Sequence, residues 1–321
     1  MRHFTPGQSI TEFFILRKKE LRKKHNSDEF YLSVELTNEK GRIFGSLWTE
    51  AEKRYSELSE GTPVKVQASV IDWKNNVHLS VNKIRPATES DGIDPERFLP
   101  TSPMNEENLK KEITEMIDGV ENPFLKGLLN KLYKDESFWK NFARTPGGKL
   151  WHHCYKLGLA EHTLSVAKLV SHLSDVYPTL NRALLITGAL VHDIGKIDEY
   201  QTKGYIEFTD RGRLHGHITI GFHKIASLIE ACDDFPKELS AQLLHLILSH
   251  QGALENGSPV VPMTREAFVL YFADEIDSKL NAIDRITLRD REPDRKWSQY
   301  INLLNRFIYF GDQAGEDSQI A

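Results

Sequence analysis

The chain has 321 residues, enough for about two domains at roughly 150 residues each. Its 40% hydrophobic and 27% charged residues are those of a globular protein that buries a core without metal or disulfide staples. Two cysteines, Cys154 and Cys232, with no CxxC spacing, exclude a disulfide framework and a thiolate metal site. The start MRHFTPGQSI lacks the basic-then-apolar order of a signal peptide, and no apolar run approaches the ~20 residues of a membrane span, so a cytoplasmic protein without a membrane partner is expected. The net charge of −5 is unevenly spread: residues 1–86 hold 15 Lys+Arg against 11 Asp+Glu, and the rest is acidic. A basic module on an acidic body points to an anionic partner at the N-terminal end.

Residues 10–86 read as short strands. Thr11–Arg22 forms a long, bent one; Glu29–Thr37 alternates, with Phe30, Leu32, Val34 and Leu36 on one face. Gly41–Trp48 follows the turn Asn38-Glu39-Lys40-Gly41, and Pro63–Asp72 turns through Asn75-Asn76 into Val77–Ile84. With a helical Glu50–Leu58 before the fourth strand, five strands predict a Greek-key barrel of the OB type; another small β-barrel is the alternative. In this register Tyr31, Arg42, Phe44 and Trp48 point outward. Tyr31, Arg42 and Phe44 would then share the face on which such barrels stack single-stranded nucleic acid, with Lys18, Lys19 and Lys23 in basic clusters able to track phosphates.

Four prolines, Pro86, Pro95, Pro100 and Pro103, mark residues 87–104 as a linker. Beyond it, residues 105–310 are helical by apolar spacing: Leu109–Val120, Leu125–Tyr133, Leu157–Leu173, Ala183–His192, Ile218–Ala231, Leu239–Ser249, Glu266–Leu280 and a last helix over Lys296–Tyr309. Residues 311–321 are expected to fray. The expected fold class is thus two-domain, β plus all-α.

Ten of the 13 histidines fall between His152 and His250. Several polar groups close apolar helices: His192-Asp193 ends ALLITGALVHD, Asp274 follows AFVLYFA, His250 follows LLHLILS, and His162 sits among Leu, Ala and Val. Such groups are costly inside an apolar bundle unless paired or bound to a cation. The order His162, His192-Asp193, His217, His250, Asp274 on successive helices fits one polyhedral metal site in a helical bundle, with His215 and His245 as competing donors. Nitrogen and oxygen ligands without thiolate favour Mn²⁺, Fe²⁺, Zn²⁺ or Mg²⁺. A carboxylate such as Asp193 can bridge two ions, and paired ions suit in-line attack on phosphorus.

These stretches resemble the HD-domain metal-dependent phosphohydrolases, whose signature is a His, a His-Asp pair and a distal Asp: here LAEHTL, LVHDIGK and FADEID. More narrowly, WHHCYKLGLAEHT, GALVHDIGK, GHITIG, LILSHQGALENGSPVVPMT and FADEIDSKL resemble the YhaM-type 3′→5′ exoribonucleases, which join an N-terminal OB-fold to an HD domain. The resemblance implies one ion on His162, His192, Asp193 and Asp274, and a second completed by His217 and His250, with manganese as the metal. It implies that Asp193 is catalytic and that Lys196 contacts the scissile phosphate. His152 and His153 match a family pair, read as substrate contacts or as supports of the ligands. Ala160, where relatives often carry leucine, alters packing and leaves the ligands alone.

The implied activity is hydrolysis of single-stranded RNA, with single-stranded DNA as a further substrate, from the 3′ end to nucleoside 5′-monophosphates. A phosphohydrolase of a small nucleotide is the alternative, and a non-catalytic nucleic-acid adaptor is disfavoured by the complete ligand set. Nothing in the sequence sets the oligomeric state.

Overall fold

A computed structural model describes residues 4–25, 27–38, 41–73, 76–202, 204–290 and 295–311. The turn residues Glu39, Lys40 and Asn75, and the tail from 312 onward, lie outside the described residues. The chain splits into two compact units at Pro100/Thr101, with Gln201–Glu207 grouped with the first.

The first unit is a closed five-stranded barrel: β1 (Ser9–Lys23), β2 (Phe30–Asn38), β3 (Gly41–Leu47), β4 (Pro63–Trp73) and β5 (Asn76–Pro86), with helix α1 (Ala51–Glu57) between β3 and β4. The strand order is β1-β2-β3-β5-β4, closed by β4 on β1; β3 and β5 run parallel and the other pairs antiparallel. This is the five-stranded OB-type architecture expected from the strand pattern. β1 is long because it serves two neighbours. Ser9–Ile15 pairs with β4, Ile15–Lys23 pairs with β2, and an irregularity between Leu16 and Lys18 makes the bend. Alternation puts Leu32, Val34, Leu36, Val64, Val66, Ala68 and Val70 into the core. Phe30, assigned to that face by period, is exposed where the strand begins. Gly45 has no room for a side chain: a Cβ there would stand 3.0 Å from Val81 and 3.2 Å from both Leu79 and Val34.

The proline-bearing stretch after β5 carries two 3₁₀ turns, Glu89–Asp91 and Pro95–Phe98, with Phe98 and Leu99 buried. Asp91 anchors the first: it accepts both arms of the Arg85 guanidinium at 2.7 and 2.9 Å and the Thr88 amide at 2.8 Å. Proline at such density forbids α-helix and central strand but not a 3₁₀ turn.

The second unit is helical: α2 (Glu106–Asp118), α3 (Pro123–Tyr133), α4 (Glu136–Arg144), α5 (Gly158–Val176), α6 (Arg182–Val191), α7 (Lys196–Glu199), α8 (Asp210–Glu230), α9 (Lys237–Ser249) and α10 (Arg265–Asp290). Side-chain caps from Asn105, Asn122, Asp135, Asn181 and Thr209 start five of them. A short ribbon, β6 (Tyr200–Thr202) and β7 (Ile206–Phe208), precedes α8. α4 goes beyond the sequence expectation; it is only nine residues long, yet Phe138, Trp139 and Phe142 make it a core helix. The helix expected over Lys296–Tyr309 is absent, and this is a correction. The segment folds back through bridges Trp297–Tyr309 and Ile301–Arg306, with Asn305 at φ 53° in its turn. Ile301 and Leu304 are buried beside Ile286, so the spacing that suggested a helix reflects two anchors of a compact turn.

Candidate metal centre

Five helical elements deliver the site. α6 is apolar on every side and buried, and it ends in His192, so Asp193 follows directly into the interior. His162 comes from the buried first half of α5, His250 closes α9, and Asp274 lies on the inward face of α10. His217 depends on a break: Gly216 adopts φ 70°, ψ 153° inside α8, and the turn frees the His217 amide to donate to Glu199 Oε1 at 2.9 Å.

The imidazoles share one pattern. Each Nδ1 meets an oxygen: His192 donates to the Ala189 carbonyl at 2.8 Å, His250 to that of Ile247 at 2.7 Å, His217 pairs with Glu199 at 3.1 Å and His162 with Asp277 at 2.6 Å. With Nδ1 so engaged, Nε2 carries the lone pair, and all four Nε2 atoms point at Asp193. The two carboxylate oxygens divide them. Oδ2 is 3.5 Å from His162 and 3.4 Å from His192; Oδ1 is 3.4 Å from His217 and 3.5 Å from His250. His162 Nε2 also lies 3.1 Å from Asp274 and 3.2 Å from His192 Nε2.

His217 Nε2, His250 Nε2 and Asp193 Oδ1 are buried without a hydrogen-bond partner, while Asp193 Oδ2 is met by the Lys196 ammonium. Acceptors converging in a buried space around one ammonium call for further positive charge. His162, His192 and Asp193 form one cluster able to hold an ion, and Asp193, His217 and His250 form another, so the donor chemistry fits the divalent metal that the sequence implied. The competing donors fall away: His215 is exposed, and His245 accepts the Met263 amide at 3.0 Å.

Electrostatics follow the same lines. Burial opposes charge on Asp193 and Asp274, yet Lys196, His192 and His162 around the first, and His162 beside the second, hold both carboxyls well below the usual range. Burial likewise opposes the charge on His162, and the carboxylates of Asp193, Asp274 and Asp277 overcome it, raising its basicity. Lys196 is buried, with Nζ 2.5 Å from Asp193 Oδ2 and 2.6 Å from the Gly147 carbonyl. Its ammonium faces a carboxylate, not an open surface.

His152 and His153 flank His162, with ring centroids 5.0 and 5.3 Å away, and their Nδ1 atoms are 3.3 Å apart. Burial, reinforced by the neighbouring His162 and Lys196, lowers the basicity of both. His153 sits at φ 45°, held by its amide on Asn281 Oδ1 at 2.6 Å. Glu199, Asp277 and Asn281 went unrecognised in the sequence. For Asp277 a signal existed, since it lies one turn beyond Asp274 and so on the same helix face.

The barrel carries a groove of about 880 Å³ whose lining includes Lys18, Tyr31, Arg42, Phe44, Trp48, Trp73 and His78. Tyr31 and Trp48 stack at 4.6 Å, and Arg42 lies 4.9 Å over Phe44 while pairing with Glu35 at 2.9 Å. Trp73 and His78 belong to this face and were not foreseen. Lys19 also borders the groove, but its ammonium donates to the Tyr55 and Leu58 carbonyls at the end of α1, 2.5 Å from each. Lys23 pairs with Asp28 at 2.6 Å, outside the groove lining.

An OB-type barrel joined to a helical unit with a His, a His-Asp pair and a distal Asp around a buried carboxylate defines an HD-domain phosphohydrolase, and the HD domain family profile matches residues 159–279. The chain is 31% identical to the 3′-5′ exoribonuclease YhaM of Geobacillus sp. (strain WCH70), over 96% of this chain and 93% of that protein. It is also 31% identical to the YhaM of Shouchella clausii (strain KSM-K16), over 96% of this chain and 95% of that one. The chain belongs to the YhaM family, and is a hydrolase acting on phosphodiester bonds. No described helix is long and apolar enough to cross a membrane.

Proposed function

We propose that this protein is a metal-dependent 3′→5′ exoribonuclease that degrades single-stranded RNA to nucleoside 5′-monophosphates, with single-stranded DNA as a second substrate. The carrying observation is the buried Asp193, with one carboxylate oxygen facing His162, His192 and the Lys196 ammonium and the other facing His217 and His250. In this reading His162, His192, Asp193 and Asp274 hold one Mn²⁺, and Asp193, His217 and His250 hold the second. Bound there, such ions lower the pKa of water to supply the nucleophile and offset charge on the phosphoryl oxygens.

The chain's own groups then have defined tasks. The oxygens on each Nδ1 keep the imidazoles oriented and leave Nε2 as the ring atom that faces the metal position. Lys196 steadies Asp193 in its ionised form, and in this state its link to the substrate runs through that carboxylate. His152 and His153, kept neutral by burial, offer hydrogen bonds beside His162 where a phosphate or ribose hydroxyl would lie. In the barrel, Tyr31, Phe44, Trp48 and Trp73 provide ring faces for bases, at about 1–3 kcal/mol per stacked base, with Lys18 and Arg42 near the backbone. Stacking reads no sugar, which suits both nucleic acids.

The test is a 5′-labelled single-stranded RNA incubated with protein and Mn²⁺. A ladder shortening from the 3′ end, with nucleoside 5′-monophosphates by mass, is expected. Intact RNA alongside rapid hydrolysis of a mononucleotide or cyclic dinucleotide refutes it.

A further inference from the structure

α10 has two faces. Inward, it buries Ala267, Leu270, Ala273, Asp274 and Ser278. Outward, Phe268, Phe272, Ile276 and Leu280 recur every fourth residue and remain 52%, 54%, 45% and 56% exposed. Residues four apart form a continuous ridge on a helix, so these side chains make one apolar strip more than two turns long. Helix propensity does not require large apolar groups there, and each is left in water.

We infer that this ridge is the contact surface for a second copy of the same chain, packed antiparallel across a two-fold axis near Asp274. Ridges of the i+4 class interdigitate with their own kind, so the strip is complementary to itself, as an isologous interface requires. Phe268 of one chain then meets Leu280 of the other, and Phe272 meets Ile276. Charge fits the same register. Asp284, exposed one step beyond the ridge, falls opposite the turn carrying the exposed Arg265 of the other chain.

Area is consistent. Half-exposed side chains of this size contribute about 100 Å² each, so the ridge supplies about 400 Å² per chain. That is roughly half of the ~800 Å² per partner in a standard interface. The flanking Val269 and Ile283 and the stems of Arg265 and Lys279 extend it toward that size. A nucleic acid is a poorer occupant, because Lys279 is already paired with Glu275 and the exposed Asp284 adds negative charge at the end of the ridge.

The test is the mass of the full-length protein by light scattering and sedimentation at about 1 to 100 µM, which spans dissociation constants worth roughly −8 to −5 kcal/mol. A dimer, or an oligomer built from dimers, is expected. Phe272→Glu with Ile276→Glu should give a monomer, at least ~100-fold weaker in self-association, with the helical circular dichroism of the parent. Arg265→Glu and Asp284→Arg should each weaken the dimer by roughly three- to tenfold as rim charges do, and together restore it. On one helix the two residues are ~28 Å apart at 1.5 Å per residue, so rescue must act between chains. A wild-type monomer at 100 µM overturns the inference, as does an oligomer indifferent to the glutamate pair. Charge reversals without effect, or a double reversal that fails to restore the dimer, overturn the antiparallel seating.

Discussion

Glu199→Gln isolates the support of one metal ligand from the ligand itself. Glu199 is buried, and its Oε1 receives the His217 amide at 2.9 Å and faces His217 Nδ1 at 3.1 Å. Burial opposes its charge, but these bonds to His217 lower its pKa below the usual range, so it acts as a carboxylate. Hydrogen bonds to a charged acceptor contribute about 1.5–3 kcal/mol, against about 0.5–1.5 for a neutral one, so converting both costs about 2 kcal/mol. The loss of a carboxylate behind a ligating histidine lowers metal affinity about 10–100-fold, or about 1.4–2.7 kcal/mol, and the two routes agree. The assay is calorimetric titration of metal-free protein with Mn²⁺, beside hydrolysis of bis(p-nitrophenyl) phosphate across Mn²⁺ concentrations. One site should weaken by that factor, the other should stay, and activity should return at raised Mn²⁺. An isotherm that superimposes on the wild type refutes the orienting role. Loss of both sites in a folded protein refutes the division of ligands into two groups.

Asp193→Asn should abolish Mn²⁺ binding and lower hydrolysis at least ~10³-fold. In metal-free protein it should also cost about 3–5 kcal/mol in urea unfolding, because the buried Lys196 loses its partner; adding Lys196→Met should recover most of this. Gly195→Ala should destabilise by at least ~4 kcal/mol, since its Cβ would meet the His217 carbonyl at 2.0 Å and the Gly221 nitrogen at 2.7 Å; a melting temperature near wild type would show that α7 and α8 can part. Trp48→Ala and Phe44→Ala should each weaken oligouridylate binding by about 1–3 kcal/mol in fluorescence anisotropy, with bis(p-nitrophenyl) phosphate hydrolysis unchanged. Equal binding in both variants removes the barrel groove from the substrate path.

The barrel was legible because its period is short and its faces differ. Leu32, Val34 and Leu36 declare the core by alternation alone, and Trp48 and Phe44 point outward for the same reason. Where one period serves two structures, reading fails. Trp297, Ile301 and Leu304 recur at helical steps, but burial of Ile301 and Leu304 in a bridged turn satisfies the same spacing. α4 failed in the opposite sense: nine residues give too few repeats, and its identity comes from the aromatic cluster of Tyr133, Phe138 and Phe142.

The site divides along similar lines. Polar groups at the ends of apolar helices are visible as anomalies, so His162, His192, Asp193, His250 and Asp274 could be named before any coordinates. Groups that act on those residues from elsewhere carry no such mark: Glu199 reaches His217 only because Gly216 breaks α8. Visible and hidden carboxylates together set the charge of the site. Asp193, Asp274, Asp277 and Glu199 lie around the four imidazoles, and Lys196 is the ammonium in contact with Asp193. Even with the His162 ring charged, these carboxylates outnumber the cations around them, and a divalent ion held at Asp193 would offset that excess in a buried space.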